Sequence, residues 1–172
     1  LTNVTFSGNT ATNGGGGMHL QNSSSTLTNV TISGNTGDGM NLWQSSSTLT
    51  NVTISGNTGS GMYLNSDNTN HNGNTTLTNS ILWDNSAEEI YWVYSPPSNS
   101  ITINYSDIQG GEDGIAANGN GTVYWGTGNI DSNPLFVDAA NGNYHLSDYS
   151  PCIGSGTSTG APTTDLDGNP RP

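Results

Sequence analysis

The residues best equipped for chemistry in this sequence are a small group of acids and aromatics. Asp84, Glu88, Glu89, Asp107, Glu112 and Asp113 fall in one stretch that also holds Trp83, Tyr91 and Trp92. Inverting glycoside hydrolysis needs two carboxyl groups about 6.5–9.5 Å apart on one face. Glu88 and Glu112 are the pair that would stack on neighbouring turns of a repeating structure, although the plainer reading of these acids is as solvated turn residues. Aromatic rings suit the apolar faces of sugars, which makes Trp43, Tyr63, Tyr91, Trp92 and Tyr94 the candidate glycan contacts. Trp43 and Tyr63 are also suited to filling turns.

Hard oxygen ligands of the type Ca2+ prefers occur in two Gly-containing turns, Asp138 with Asn141 and Asn143, and Asp165 with Asp167. Neither forms a complete calcium loop, and Asx turns account for the same residues without a metal. No other cofactor is expected. His19, His71 and His145 lie far apart with no paired spacing, and the single Cys152 has no internal disulfide partner.

The charge balance excludes several partners. One basic residue against thirteen acids gives a net charge of -12, which cannot neutralise a row of phosphates, so no nucleic-acid partner is expected. An anionic membrane surface repels such a chain, and no apolar run approaches the roughly 18 residues of a spanning helix. Membrane insertion by this segment is not expected.

These residues are carried on a repeat. LTNVTFSGNT begins at Leu1, LTNVTISGNT at Leu27 and Leu49, LTNSILWDNS at Leu77 and a degenerate ITINYSDIQG at Ile101. A second block follows in each copy, with Met18, Met40, Met62, Ile90 and Ile115 at equivalent places. The runs alternate with period two, are rich in β-branched residues and are broken by Gly, Asn and Ser, with no helical period. One copy cannot bury a core, but stacked copies can. Stacking predicts interior columns of Val4, Val30 and Val52, of Phe6, Ile32, Ile54 and Leu82, of the methionines, and of Leu20, Leu42, Leu64 and Trp92. The predicted fold is all-β: a parallel β-solenoid of about five or more coils with an irregular C-terminal cap.

Asparagine recurs in two files, Asn3, Asn29, Asn51 and Asn79, then Asn9, Asn35, Asn57 and Asn85. Asn tolerates the left-handed backbone of sharp bends, and its amide can bond the equivalent amide one coil away. Asn9, Asn35, Asn57 and Asn85 are read as a structural ladder. The expected organisation is coils over 1–126, a last irregular coil and cap over 127–154, and an extended tail or linker over 155–172. The chain opens inside a repeat and reads as a segment of a longer protein whose open coil ends offer self-association.

Asn79-Ser-Ile-Leu-Trp83 with Asn85, Tyr105-Ser-Asp-Ile-Gln-Gly-Gly111, Gly128-Asn-Ile130, Asn133-Pro-Leu-Phe-Val-Asp138, Tyr144-His-Leu146, Ser150-Pro-Cys-Ile153 and Asp165-Leu-Asp-Gly-Asn-Pro-Arg-Pro172 resemble bacterial right-handed parallel β-helix repeat proteins of the pectin-lyase-like superfamily. The subset they resemble is the choice-of-anchor Q surface proteins. The resemblance implies a right-handed coil and an extracellular or cell-surface location. The superfamily also includes polysaccharide lyases and hydrolases. β-Elimination on a uronate commonly uses Lys or Arg as base, and here Lys is absent while Arg171 lies in the tail. The residues therefore favour a non-catalytic adhesion or structural segment with a polysaccharide or other cell-surface partner, with a carbohydrate-active enzyme as the alternative. A second alternative is ice binding by outward threonines, Thr5, Thr31 and Thr53 flanked by Ser7, Ser33 and Ser55, beside a row of Thr2, Thr28, Thr50, Thr78 and Thr102.

Overall fold

The computed structural model describes residues 1–65, 73–93 and 99–171, apart from the side chain of Asn13. Tyr94 and His71 lie outside the described residues. Each of the first four repeats contributes one leg to each of two parallel sheets, and among the described residues the fifth meets the second sheet only through the bridge of Tyr91 to Ala116. The first sheet stacks β1 (Thr2–Ser7), β3 (Ser24–Ser33), β5 (Ser46–Ser55), β7 (Asn74–Thr78) with β8 (Ile81–Trp83), β10 (Ser100–Asn104) with β11 (Asp107–Ile108), and β12 (Thr122–Trp125). The second sheet stacks β2 (Thr10–Gln21), β4 (Thr36–Trp43), β6 (Met62–Asn65) and β9 (Ile90–Trp92). The result is a β-helix of about five coils. An antiparallel hairpin of β13 (Phe136–Asp138) and β14 (Asn143–Leu146) follows, joined by a 3-10 turn at Ala139–Asn141.

Register follows the repeat. Val4 pairs with Val30 and Val30 with Val52, while Met18, Met40, Met62 and Ile90 align in turn, as do Leu20, Leu42, Leu64 and Trp92. Most of these side chains are sealed inside the coil, with Met40, Met62, Ile54 and Ile90 fully buried. The Val column changes to Ser80 and then Ser106. Val52 N–H donates to Ser80 Oγ at 3.3 Å, Ser80 N–H to Ser106 Oγ at 3.1 Å and Ser106 N–H to Asn129 Oδ1 at 3.0 Å. A polar stack thus replaces an apolar one as the rod proceeds.

The fifth repeat differs from the expected alignment by two residues. Leu77 pairs with Ile103, not Ile101, and Thr102 stands opposite Thr76, not Thr78. A slip of two keeps the same residues facing inward, so alternation alone cannot detect it. The bend detects it: Asn3, Asn29, Asn51 and Asn79 have φ between 52° and 56°, and the same left-handed turn continues at Tyr105 with φ 49°.

The second asparagine file forms the expected ladder. Asn9, Asn35 and Asn57 each donate both the backbone N–H and the side-chain amide to Oδ1 of the next rung, at 2.8–3.1 Å. The remaining amide hydrogens of Asn35, Asn57 and Asn85 reach Phe6, Ile32 and Ile54 carbonyls, each at 3.1 Å. Each inner rung therefore donates both amide hydrogens and accepts from the rung before it, which is why it can be buried.

Glycine makes room for this ladder. A Cβ on Gly17, Gly39 or Gly61 would sit 2.8–2.9 Å from the side-chain nitrogen of Asn35, Asn57 or Asn85. In the fourth coil this glycine position is Glu89, next to Ile90 of the methionine file. Continuing the β8–β11 register places Gly111 where the next asparagine would fall. With that amide gone, the Glu89 side chain fills the vacated place. Its Oε1 accepts from Asn85 N–H at 3.1 Å, and its Oε2 accepts from the Asn85 amide.

The C-terminal segment departs from expectation. The hairpin and the residues that follow lie along the flank of the first sheet, and residues 155–171 dock on it where a tail or linker was expected. Asn79 holds the Thr157 backbone from both sides, accepting its N–H and donating to its carbonyl, both at 2.8 Å. Asn29 donates to the Thr164 carbonyl at 3.0 Å. This strap is anchored by the bend asparagines, whose side chains project outward.

Candidate glycan-binding face and the strapped flank

The outward side chains of the second sheet form two adjacent files. One runs His19, Asn41, Tyr63, Tyr91, and the next runs Gln21, Trp43, Asn65. Alternation in the strands puts these side chains opposite the Met and Leu columns. Trp43 is 39% exposed, and the Tyr63 and Tyr91 rings sit 5.6 Å apart with a 42° tilt. Three of the five aromatic candidates therefore share one face. Trp92 does not join them: it continues the Leu column, is 2% exposed, and cannot contact a ligand. Strand parity decides this, because Tyr91 and Trp92 are neighbours and must point to opposite sides.

Two polar residues complete the face. Asn41 is 6% exposed despite its outward position, and its Oδ1 has no donor among the described residues. Its amide bonds the Asp38 carboxyl, which also accepts Ser60 N–H at 2.9 Å. Burial raises the Asp38 pKa above its ordinary value despite those hydrogen bonds. Burial, then the nearby Asp38 and Tyr91, raises that of the Tyr63 hydroxyl.

The acids divide between the interior and the turns. Asp84, Glu88, Glu112 and Asp113 are exposed. Glu89 and Asp107 are buried and committed to structural partners. Burial pushes the Glu89 carboxyl up to about 7 against the opposing hydrogen bonds from Asn85. Asp107 accepts from Cys152 Sγ at 3.0 Å and from Ser132 N–H at 3.1 Å, and burial raises its pKa as well. Burial, then the Asp107 contact, drives the Cys152 thiol up to about 12, which keeps it protonated and a poor nucleophile.

The flank of the first sheet carries a cavity of about 610 Å³ beneath the strap. Its floor is the bend file Asn51, Asn79 and Tyr105 beside the outward file Thr53, Ile81 and Asp107, and its roof includes Tyr144, Leu146 and Arg171. This arrangement corrects the threonine reading. Thr31 is 9% exposed, Thr53 lies under the strap, and the file passes to Ile81 and Asp107, so no flat, open threonine array exists there.

The two oxygen-ligand groups are engaged in hydrogen bonds within the protein. Both Asp138 oxygens accept from the Asn141 amide at 3.0 and 2.8 Å, and Asn143 Oδ1 contacts His145 Nδ1 at 2.6 Å. Asp165 accepts from Asp167 N–H, Asn169 N–H and the Asn169 amide, whose hydrogen bonds hold its pKa below the usual carboxylate range. Asp167 Oδ2 meets His145 Nε2 at 2.6 Å, joining hairpin to strap. Among the described residues no three His, Cys, Asp or Glu side chains cluster as a metal-holding group.

Sequence reading missed Asp38 and Asn41, the Glu89 end of the ladder, the Asp107–Cys152 contact and the docked strap. Only Glu89 left a signal, as the glycine missing before Ile90 combined with the asparagine missing after Ile108.

Parallel coils stacked in register, with bends at fixed places, define the β-helix class. The right-handed β-helix family model matches residues 2–134, and the chain belongs to that family. No curated protein and no solved structure matches it.

Proposed function

We propose that this chain is a non-catalytic structural and adhesion segment of a secreted or surface-anchored bacterial protein, a stiff rod that presents a glycan-binding face. The observation that carries this reading is the meeting of Trp43, Tyr63 and Tyr91 on adjacent outward files of one sheet. Neighbouring rings on one face offer a sugar chain apolar area at little entropic cost. The likeness to choice-of-anchor Q proteins supports display at the cell surface. The two buried carboxylates support the non-catalytic side, since Glu89 terminates the ladder and Asp107 holds Cys152.

The test is incubation of purified protein with insoluble and soluble polysaccharides. Retention without release of oligosaccharides is expected. Depolymerisation that Glu112→Gln, a change at an exposed acid, abolishes would establish the enzyme instead.

Stacking between coils is a second reading. Val4, Phe6 and Leu20 at one end, and Ala117, Val123 and Trp125 at the other, are core residues only partly buried. Such surfaces accept a further coil, from the same polypeptide or from a second copy. Sedimentation that grows with concentration, with filaments in electron micrographs, is the expected sign of the second case; a single concentration-independent species excludes it.

A further inference from the structure

We propose that the outward face of the second sheet takes neutral polysaccharide, with Asp38 and Asn41 reading sugar hydroxyls beside the rings of Trp43 and Tyr63. This rests on the glycan-binding reading and names its ligand class.

The first observation is the unpartnered oxygen. Asn41 is buried, its amide nitrogen is committed to Asp38, and its Oδ1 has no donor among the described residues. Buried polar atoms are nearly always paired, so an acceptor left open at the centre of an aromatic face marks a place for an incoming donor. Its neighbours are His19 and Tyr63 across the strands and Trp43 along its own strand. Side-chain rotations are common on binding, and turning one of these neighbours admits a hydroxyl. Asp38 adds a carboxylate beside it, anchored by Ser60 N–H.

The second observation is charge. These polar groups offer acceptors to a ligand, and hydroxyls are the donors a neutral sugar supplies. A uronate or sulfated chain would bring anions against Asp38 on a protein of net charge -12. The single basic side chain, Arg171, is in the strap against the Thr164 carbonyl and Asn29, on the first sheet.

The third is spacing. Coils repeat at about 4.8 Å, close to the length of one pyranose unit in an extended chain. A glycan lying along the rod axis then meets equivalent files on successive coils, with the Tyr63–Tyr91 pair under one part of the chain and Trp43 with Asn41 under another.

Affinity electrophoresis of the whole chain in gels containing hydroxyethyl cellulose, xyloglucan or glucomannan, against gels containing polygalacturonate or alginate, tests the assignment. At least one neutral polymer is expected to retard the protein while the acidic ones do not. Trp43→Ala should weaken that retardation by at least about tenfold, and Asp38→Asn and Asn41→Ala by about fivefold each, the tenfold corresponding to about 1.4 kcal/mol. Tyr149→Ala, which removes an aromatic side chain that is 90% exposed, should leave it unchanged. Circular dichroism melts establish that each variant is folded, and Asp38→Asn, which keeps the Ser60 acceptor, serves if Asn41→Ala does not fold. Retardation only by acidic polymers, or neutral binding that Trp43→Ala weakens but Asp38→Asn and Asn41→Ala do not, overturns the ligand assignment and leaves the adhesion reading standing. No retardation by any polymer sinks both.

Discussion

Two asparagine files run the length of the same coils with the same period and do opposite things. Asn9, Asn35, Asn57 and Asn85 face inward and bond one another, and Asn35 and Asn57 are buried without a vacant polar group. Asn3, Asn29, Asn51 and Asn79 sit at left-handed bends with their amides outward, and two of them grip the backbone of the strap. Residue type and spacing are identical in the two files. What differs is the backbone: a left-handed φ turns the side chain out of the stack, whereas the inner file has a glycine file beside it that clears the space. The same amide builds a core in one place and recruits polypeptide in the other.

The contrast predicts a graded series of effects. Asn57→Ala should be the most damaging, because it strands the N–H and amide of Asn35 and takes a donor from Asn85. Each orphaned buried group costs about 1–3 kcal/mol, so a loss of about 3–4 kcal/mol in denaturant unfolding is expected. A cost under 1 kcal/mol would mean the ladder adds little to the core.

Next comes the end of that ladder. The folded Glu89 carboxyl titrates near 7 against an ordinary value of 4.5. Between those values the folded state binds more protons than the unfolded one, so stability falls as pH rises through the window. The contribution of this group is fully present below about 4.5, is lost by about pH 8, and amounts to about 3 kcal/mol. Glu89→Gln should flatten the decline in melting temperature across that range; an unchanged slope would assign the effect to other groups.

In the outer file, Asn79→Gly retains the left-handed bend and removes only the strap contact. Hydrogen exchange at the Thr157 amide should accelerate by about fivefold, for a loss of about 1 kcal/mol, while exchange at Asn35 and Asn57 stays slow. If all three accelerate together, strap and ladder form one unit. The smallest effect belongs to Asn51→Gly, which deletes a single 3.3 Å bond to Asn29 and should cost under about 0.5 kcal/mol.

Much of the fold was legible because identical residues fall in identical places: the Val, Ile, Met and Leu columns and the inner ladder follow from the repeats at Leu27 and Leu49. The fifth repeat was misaligned because a shift of two residues preserves every inward and outward position, and only the bend at Tyr105 breaks the tie. Trp92 was assigned both to a core column and to the glycan face, and strand parity permits only the first. Asp38 and Asn41 were invisible because their significance lies in a partner held and a partner missing, which residue types do not encode. The strap was hidden for a related reason. A Gly-, Thr- and Pro-rich tail looks like a linker unless its backbone finds amides at the right distance, and those amides belong to residues 78 and 135 positions away in the chain.

The ladder also has a direction in time. Asn9, Asn35 and Asn57 each send the backbone N–H and one amide hydrogen to the rung on the C-terminal side, so Asn9 waits for Asn35, Asn35 for Asn57 and Asn57 for Asn85. The second amide hydrogen of Asn35, Asn57 and Asn85 reaches back to a carbonyl of the preceding coil. Asn85 alone finds its forward acceptor nearby, four residues on at Glu89, while the other rungs reach forward across 22 to 28 residues. Short loops close at the least entropic cost. The forward bonds of the ladder are therefore expected to close from the fourth coil backward, so that among these coils the ones synthesised earlier complete their rungs later.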